Sequence, residues 1–123
     1  METSRFTEAL PKSNELEITF KGRKTGRSYT TPVWFVHEGS RIYLLPVQGS
    51  ATNWYKNVQR DPGIRLSIMG KSIQASVKLL TEPKPVEEVV DKFKTKYGAG
   101  EIMKWYKGFD VAVEVKMQLK KTQ

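Results

Sequence analysis

Apolar and polar residues begin to alternate at residue 15. In ELEITFK (15–21), Leu16, Ile18 and Phe20 alternate with Glu15, Glu17 and Thr19, a period of two that predicts a half-buried strand. GRKTGR (22–27) breaks the pattern with glycines and cations. TTPVWFVHE (30–38) is β-branched and aromatic, and its Pro32 suits a strand start or a bulge. Glu38-Gly39-Ser40 makes a tight turn into RIYLLPVQ (41–48), the partner strand of a hairpin. GSATNWYKNVQRDP (49–62) changes character. Ser50 or Thr52 can cap a short helix carrying Trp54, Tyr55 and Val58, and Asp61-Pro62-Gly63 stops it. IRLSIM (64–69) and SIQASVKLLT (72–81) form a second hairpin, with Ile73, Ala75, Val77 and Leu79 on one side. Val86, Val89, Val90, Phe93 and Tyr97 recur at helical spacing up to Gly98, a further helical turn or two fits 98–108, and DVAVEVKMQL (110–119) alternates again.

The predicted order is β–β–β–helix–β–β–helix–β, with short hairpins and no βαβ unit. That predicts a mostly-β α+β domain, an antiparallel barrel or sandwich with helices at its ends. A chain of 123 residues suits one domain. We place it at 15–119, after an N-terminal segment (1–14) and before a frayed tail (120–123).

Composition narrows the chemistry. The chain is 38% hydrophobic and 28% charged, enough for a modest core. No run approaches the roughly 18 apolar residues of a membrane span, and METSRFTEALPKSNELE lacks a signal-peptide core, so a cytoplasmic protein without stable membrane insertion is expected. The absence of cysteine excludes disulfides, zinc–thiolate sites and thiol nucleophiles. A single histidine, His37, excludes a multi-histidine metal site and leaves little for a histidine triad. Lys+Arg number 21 against 13 Asp+Glu, a net charge of +8. That favours an anionic partner: nucleic acid, acidic membrane or a phosphorylated small molecule. Lysine used for solubility is the plain alternative.

Three stretches can carry chemistry. In GRKTGR, glycines let successive N–H groups face one concavity, a nest for anions, and Arg23, Lys24 and Arg27 add side-chain donors. An exposed basic turn explains it as well. Neither a P-loop nor a Rossmann fingerprint is present. In LLPVQGSATNWYKN, a strand ending at Pro46 meets Gly49 and Ser50 and then a helix with Trp54 and Asn57. Strand-end backbone there is free to hydrogen-bond a planar ring, and the helix start favours an anion. A plain corner with a core tryptophan is the rival reading. Tyr97, Trp105 and Tyr106 near Gly98 and Gly100 can form a stacking wall or simply cover a barrel mouth. Glu87-Glu88 and Asp110/Glu114 have no evident convergent partner, so glycosidase-type chemistry lacks support.

Taken together, GRKTGRSYTTPVWFV, RIYLLPVQGS and NWYKNVQRDP resemble the deazaflavin-dependent nitroreductase family. Its members share G-R-K-[ST]-G, a following T/N-P-[LV] and a W-Y-x-N-L/V-x-x-x-P helix. The match covers about residues 16–80, in order and at similar spacing. The resemblance implies a split β-barrel of the flavin-mononucleotide-binding kind and a ligand of the flavin or deazaflavin type, most often coenzyme F-420. It assigns the anions of that ligand to Arg23, Lys24, Thr25 and Gly26. It assigns the ring to the backbone of Pro46, Val47, Gln48, Gly49 and Ser50, to the helix residues Asn53, Trp54 and Asn57, and to Thr31 and Pro32 beside it. The sequence departs from the family in places. Tyr29 stands where many members have arginine, with Arg27 a possible substitute. Ser50 stands where a second glycine is common, and the N-terminal segment is too short for the lid helix of some members. The family's C-terminal tyrosine corresponds to Tyr97 or Tyr106, and Trp34 and Trp105 join them as substrate-side candidates.

The function implied is hydride transfer from a reduced deazaflavin to a small organic acceptor such as a nitro compound, quinone or enone. The cofactor does the chemistry, and the protein supplies position and electrostatics. FMN, another flavin or a tetrapyrrole in the same barrel is the near alternative, as is a non-catalytic cofactor carrier. A nucleic-acid-binding barrel is remote, because no single strand interleaves cations with aromatics. Split barrels often pair, so a homodimer is expected.

Overall fold

The alternating segments pair as their periodicity requires. The computed structural model describes residues 2–117. Strands β1 (Glu15–Lys21), β2 (Ser28–Glu38), β3 (Arg41–Leu44), β4 (Gly63–Ile68), β5 (Lys71–Leu80) and β6 (Ala112–Lys116) close into an antiparallel barrel in the order β1-β2-β3-β6-β5-β4. Of the two architectures that fit the sequence, the barrel is the one formed. Helix α2 (Asn53–Arg60) follows β3. Helices α3 (Pro83–Tyr97) and α4 (Ala99–Trp105) separate β5 from β6. The last residues expected in the closing strand, and the tail after it, lie outside the described residues.

Inward positions fill one core. Leu16, Ile18 and Phe20 of β1 meet Ile64, Leu66 and Ile68 of β4 and Val113 and Val115 of β6. Burying each such side chain contributes about 1.5–3 kcal/mol. The outer face of β2, β3 and β6 carries a second cluster. There Val86, Val89, Val90 and Phe93 of α3 and Ile102 of α4 cover Val36 and Ala112. Lys96 sits at the edge of this layer with its ammonium 2.7 Å from Phe35 O and 3.8 Å from the centre of the Phe35 ring.

Three differences from the sequence expectations matter. First, the segment before β1 is not bare. Helix α1 (Glu2–Ala9) and the 3-10 turn Leu10–Lys12 precede β1, and fully buried Phe6 and Leu10 belong to the barrel core. Three apolar residues over two turns were too few to signal a helix. Second, β3 stops at Leu44 rather than running to residue 48. Third, the expected hydroxyl cap of α2 is not made. Thr52 holds the cap position, but its Oγ1 accepts a hydrogen bond from Gln48 N at 2.7 Å, and Ser50 turns to Asp110.

Candidate functional site

The early end of β3 opens the site. Strands β2 and β3 pair from Glu38↔Arg41 to Phe35↔Leu44. The same register continued would set Val33 against Pro46 and Pro32 against Val47. Neither proline has an N–H to give, so the ladder stops and the strands part. From Ser28 to Trp34, β2 is then paired on one side only, with β1. Pro32 is therefore tolerated inside a strand rather than at its start.

The gap between the parted segments is a slot of about 310 Å³. Thr31, Pro32 and Trp34 line one side, Leu45 and Val47 the other, with Trp54, Trp105 and Tyr106 around them. Trp54 and Tyr106 are buried at its floor, while Val47 and Trp105 stand exposed at its mouth. Trp34 is stacked on Tyr97, with ring centres 4.4 Å apart, and Tyr106 lies tilted against Trp34 at 6.0 Å. The Tyr106 side chain is 4% exposed, and among the described residues its hydroxyl has no hydrogen-bond partner. Burial pushes its pKa upward, with a smaller contribution from Tyr97, so it is a protonated donor at neutral pH.

A second cavity, of about 320 Å³, lies beside the GRKTG loop and is lined by Arg23, Lys24, Thr25, Tyr29, Asn53 and Asn57, with Gly22 behind them. It adjoins the slot through both elements that build it. Tyr29 and Thr31 are two apart on β2, and Asn53 and Trp54 are neighbours on α2. The loop is fixed by Asn57, which is 3% exposed. Its Oδ1 accepts from Arg23 N at 2.8 Å and from Arg23 Nη1 at 2.9 Å, and Asn53 Oδ1 accepts from the same nitrogen at 3.3 Å. The guanidinium is thus oriented by neutral oxygens that leave its charge uncancelled. Tyr29 packs against the same loop. Its hydroxyl lies 3.2 Å from Thr25 Oγ1, and its ring fills the space where a Gly22 side chain would stand.

The backbone donors expected to form a nest in this loop are only partly engaged. Gly22 N bonds Arg27 O, Gly26 N bonds Gly22 O, and Arg27 N bonds Thr25 Oγ1. With Arg23 N held by Asn57, the N–H groups of Lys24 and Thr25 and the charge of Arg23 and Lys24 are left for a ligand. The backbone after Pro46 is largely engaged, with Val47 N left open. Gly49 N donates to Pro46 O, Lys107 N to Val47 O at 2.7 Å, and Gln48 O accepts from Ala51 N. Asp110 takes both Ser50 N at 2.9 Å and Ser50 Oγ at 2.6 Å, which, with the Ser50 hydroxyl as the main cause, holds its carboxyl below the usual value. Asp110 therefore has the partner the sequence did not reveal. Gly49, at φ +57, lies so close to Asp110 that a Cβ there would overlap the carboxylate.

The residues singled out in the sequence thus fall into three groups. Arg23, Lys24, Thr25, Tyr29, Asn53 and Asn57 surround the cation-rich cavity. Thr31, Pro32, Val47, Trp54, Trp34, Trp105 and Tyr106 line the slot. Gly26, Arg27, Pro46, Gln48, Gly49 and Ser50 line neither, and instead shape the loops. Tyr97 lies behind Trp34. Its hydroxyl is 2.6 Å from Asn14 O and 2.8 Å from Phe35 O, and burial is the main cause of a pKa pushed up to about 12. Thr52, Leu45 and Glu15 line the slot without having been singled out. Only Glu15 carried a signal, since pairing 15–21 with the next strand sets it opposite Trp34.

The family described as "uncharacterized protein conserved in bacteria (DUF2255)" matches residues 7–117. The chain belongs to this family. Several solved structures share its fold. An F420-H2 dependent reductase is 18% identical, with a TM-score of 0.66 over 84% of this chain and 94% of the other. HutZ, the heme storage protein of Vibrio cholerae, is 12% identical, with a TM-score of 0.71 over 95% and 90%. A FAD-binding protein of Mesorhizobium loti is 11% identical, with a TM-score of 0.68 over 97% and 90%. Identities this low establish the split barrel for this DUF2255 chain and nothing finer. Among the described residues no helix is long and apolar enough to cross a membrane.

Proposed function

We propose that this DUF2255 chain is an oxidoreductase that binds a deazaflavin such as F-420, or the shorter FMN, and reduces a small organic acceptor, of which nitro, quinone and enone compounds are examples. The observation that carries the reading is the adjoining of a cation-rimmed cavity and an aromatic slot on the same two elements, β2 and α2. A ligand with an anionic tail and a flat ring has matching chemistry at both ends. Arg23 and Lys24 would hold the phosphate, with Asn57 keeping the guanidinium in place. Thr31, Pro32 and Trp54 would flank the ring, and the unpaired edge of β2 offers backbone groups to its polar rim. The Tyr106 hydroxyl, which has no hydrogen-bond partner among the described residues, would donate a hydrogen bond from the slot floor. The bound ring supplies the hydride chemistry, and the protein supplies orientation and exclusion of water. A homodimer belongs with this reading, since Trp105, 51% exposed at the mouth, offers apolar surface for a second copy.

Side-by-side fluorescence titration of F-420 and FMN with the protein tests it. The expected dissociation constant for one of them is on the order of 1 μM or tighter. The double substitution Arg23→Ala, Lys24→Ala should weaken it about tenfold or more, and should weaken F-420, with its longer acidic tail, more than FMN. No change in either ligand's emission at saturating protein refutes the proposal.

A further inference from the structure

The slot has the wrong sign of charge for the chain it belongs to. The protein carries +8, yet among the described residues no lysine, arginine or histidine lines this slot. The one ionisable carboxylate there is Glu15, exposed at the mouth beside Trp34. Among the described residues its side chain has no hydrogen-bond or ion-pair partner. The slot it opens on is lined by the rings of Trp34, Trp54, Trp105 and Tyr106, and Trp105 already holds a cation of the chain itself, the Lys104 ammonium 5.2 Å from its ring centre. Indole faces attract cations through the ring quadrupole, tryptophan best of all, and a nearby carboxylate adds direct attraction. A pocket built of aromatic walls and one acid is the arrangement used to recognise organic cations.

We infer that the molecule taken at the mouth of the slot, between Glu15 and Trp105, is a planar aromatic cation of the pyridinium type. The inference rests on the function proposed above only for the further statement that this molecule is the hydride acceptor. The cationic cavity at Arg23 and Lys24 and the acidic mouth at Glu15 then select opposite charges, so the ligand tail and the acceptor do not compete for one site.

Calorimetric titration with three molecules of one shape tests this: 1-methylnicotinamide as the cation, nicotinamide as the neutral form and nicotinate as the anion. The expected order is cation, neutral, anion, with the cation at least tenfold tighter than the anion despite the protein's positive charge. Glu15→Gln should weaken the cation several-fold, narrowing its lead over nicotinamide, and leave nicotinamide itself unchanged. Glu15 is exposed, so the fold should survive the change. Trp105→Leu, which keeps apolar surface but removes the π face, should weaken the cation alone. Equal or tighter binding of the anion, no binding of the cation at millimolar concentration, or an unchanged cation affinity in Glu15→Gln overturns the inference. The same titrations with F-420 or FMN present separate the two proposals. If neither cofactor binds and the charge order holds, the cofactor reading falls and this one stands. If a cofactor binds and the order is absent, this one falls alone.

Discussion

Replacing Asn57 separates the cation loop's shape from its charge. In Asn57→Ala, Arg23 loses two acceptor contacts to a side chain that is 3% exposed, at 2.8 Å from its backbone N and 2.9 Å from Nη1. A neutral hydrogen bond contributes about 1 kcal/mol and one to a charged donor about 1.5–3 kcal/mol. Water reaches the half-buried guanidinium more easily than the backbone N–H, so the expected loss is about 2–3 kcal/mol. For a domain of this size that corresponds to a fall in Tm of roughly 10 °C, readable by circular dichroism. Asn57→Asp keeps both acceptors and adds a charge facing Arg23. Its stability should stay within about 1 kcal/mol of the parent, while FMN or F-420 affinity falls about tenfold or more because the guanidinium is neutralised. An alanine variant within about 0.5 kcal/mol of the parent, or an aspartate variant with full affinity, refutes the claim that Asn57 both fixes the loop and leaves its charge available.

Other perturbations test the supports around the slot. Gly49→Ala puts a side chain at φ +57 against the Asp110 carboxylate and should cost about 3 kcal/mol in urea unfolding. Because the Asp110 carboxyl is held below its usual value in the fold, its contribution is present near neutrality and is lost as pH falls through that lowered value. Asp110→Asn should therefore flatten part of the stability profile below about pH 5 while leaving the alkaline side unchanged. Tyr97 behaves in the opposite sense. Its pKa is pushed up to about 12, so its contribution is full below the ordinary tyrosine value and is lost as pH rises through about 12. Tyr97→Phe should cost about 1–2 kcal/mol at neutral pH and remove that alkaline loss, as followed by thermal melts up to pH 11.

What could be read in advance follows the range of the interactions involved. The barrel was legible because alternation in 15–21, 64–69 and 72–80 is a local consequence of one face being buried. The slot was legible in its parts because Trp34, Trp54 and Tyr106 are large, and large side chains near strand ends have few places to go. How much of the backbone at 46–50 stays free could not be read, because a sequence does not state which groups are already used. Thr52, Lys107 and Asp110 claim them from positions up to sixty residues away. Glycine at 49 marked a tight place without naming the residue that made it tight. Helix α1 escaped notice because Phe6, Ala9 and Leu10 are all it has to show, and they matter only once β4 and β5 exist to receive them.

That last dependence carries over to synthesis. Helix α1 is made before the strands it packs on, and its apolar face has no cover until β5 has been completed at residue 80. At about 5–20 residues per second, the wait is on the order of several seconds. An eight-residue helix is too short to hold its shape alone in water, so this segment stays uncoiled and sticky while the barrel grows. A bulky fusion placed just ahead of it would therefore hinder the closing of the core more than the same fusion at an exposed hairpin.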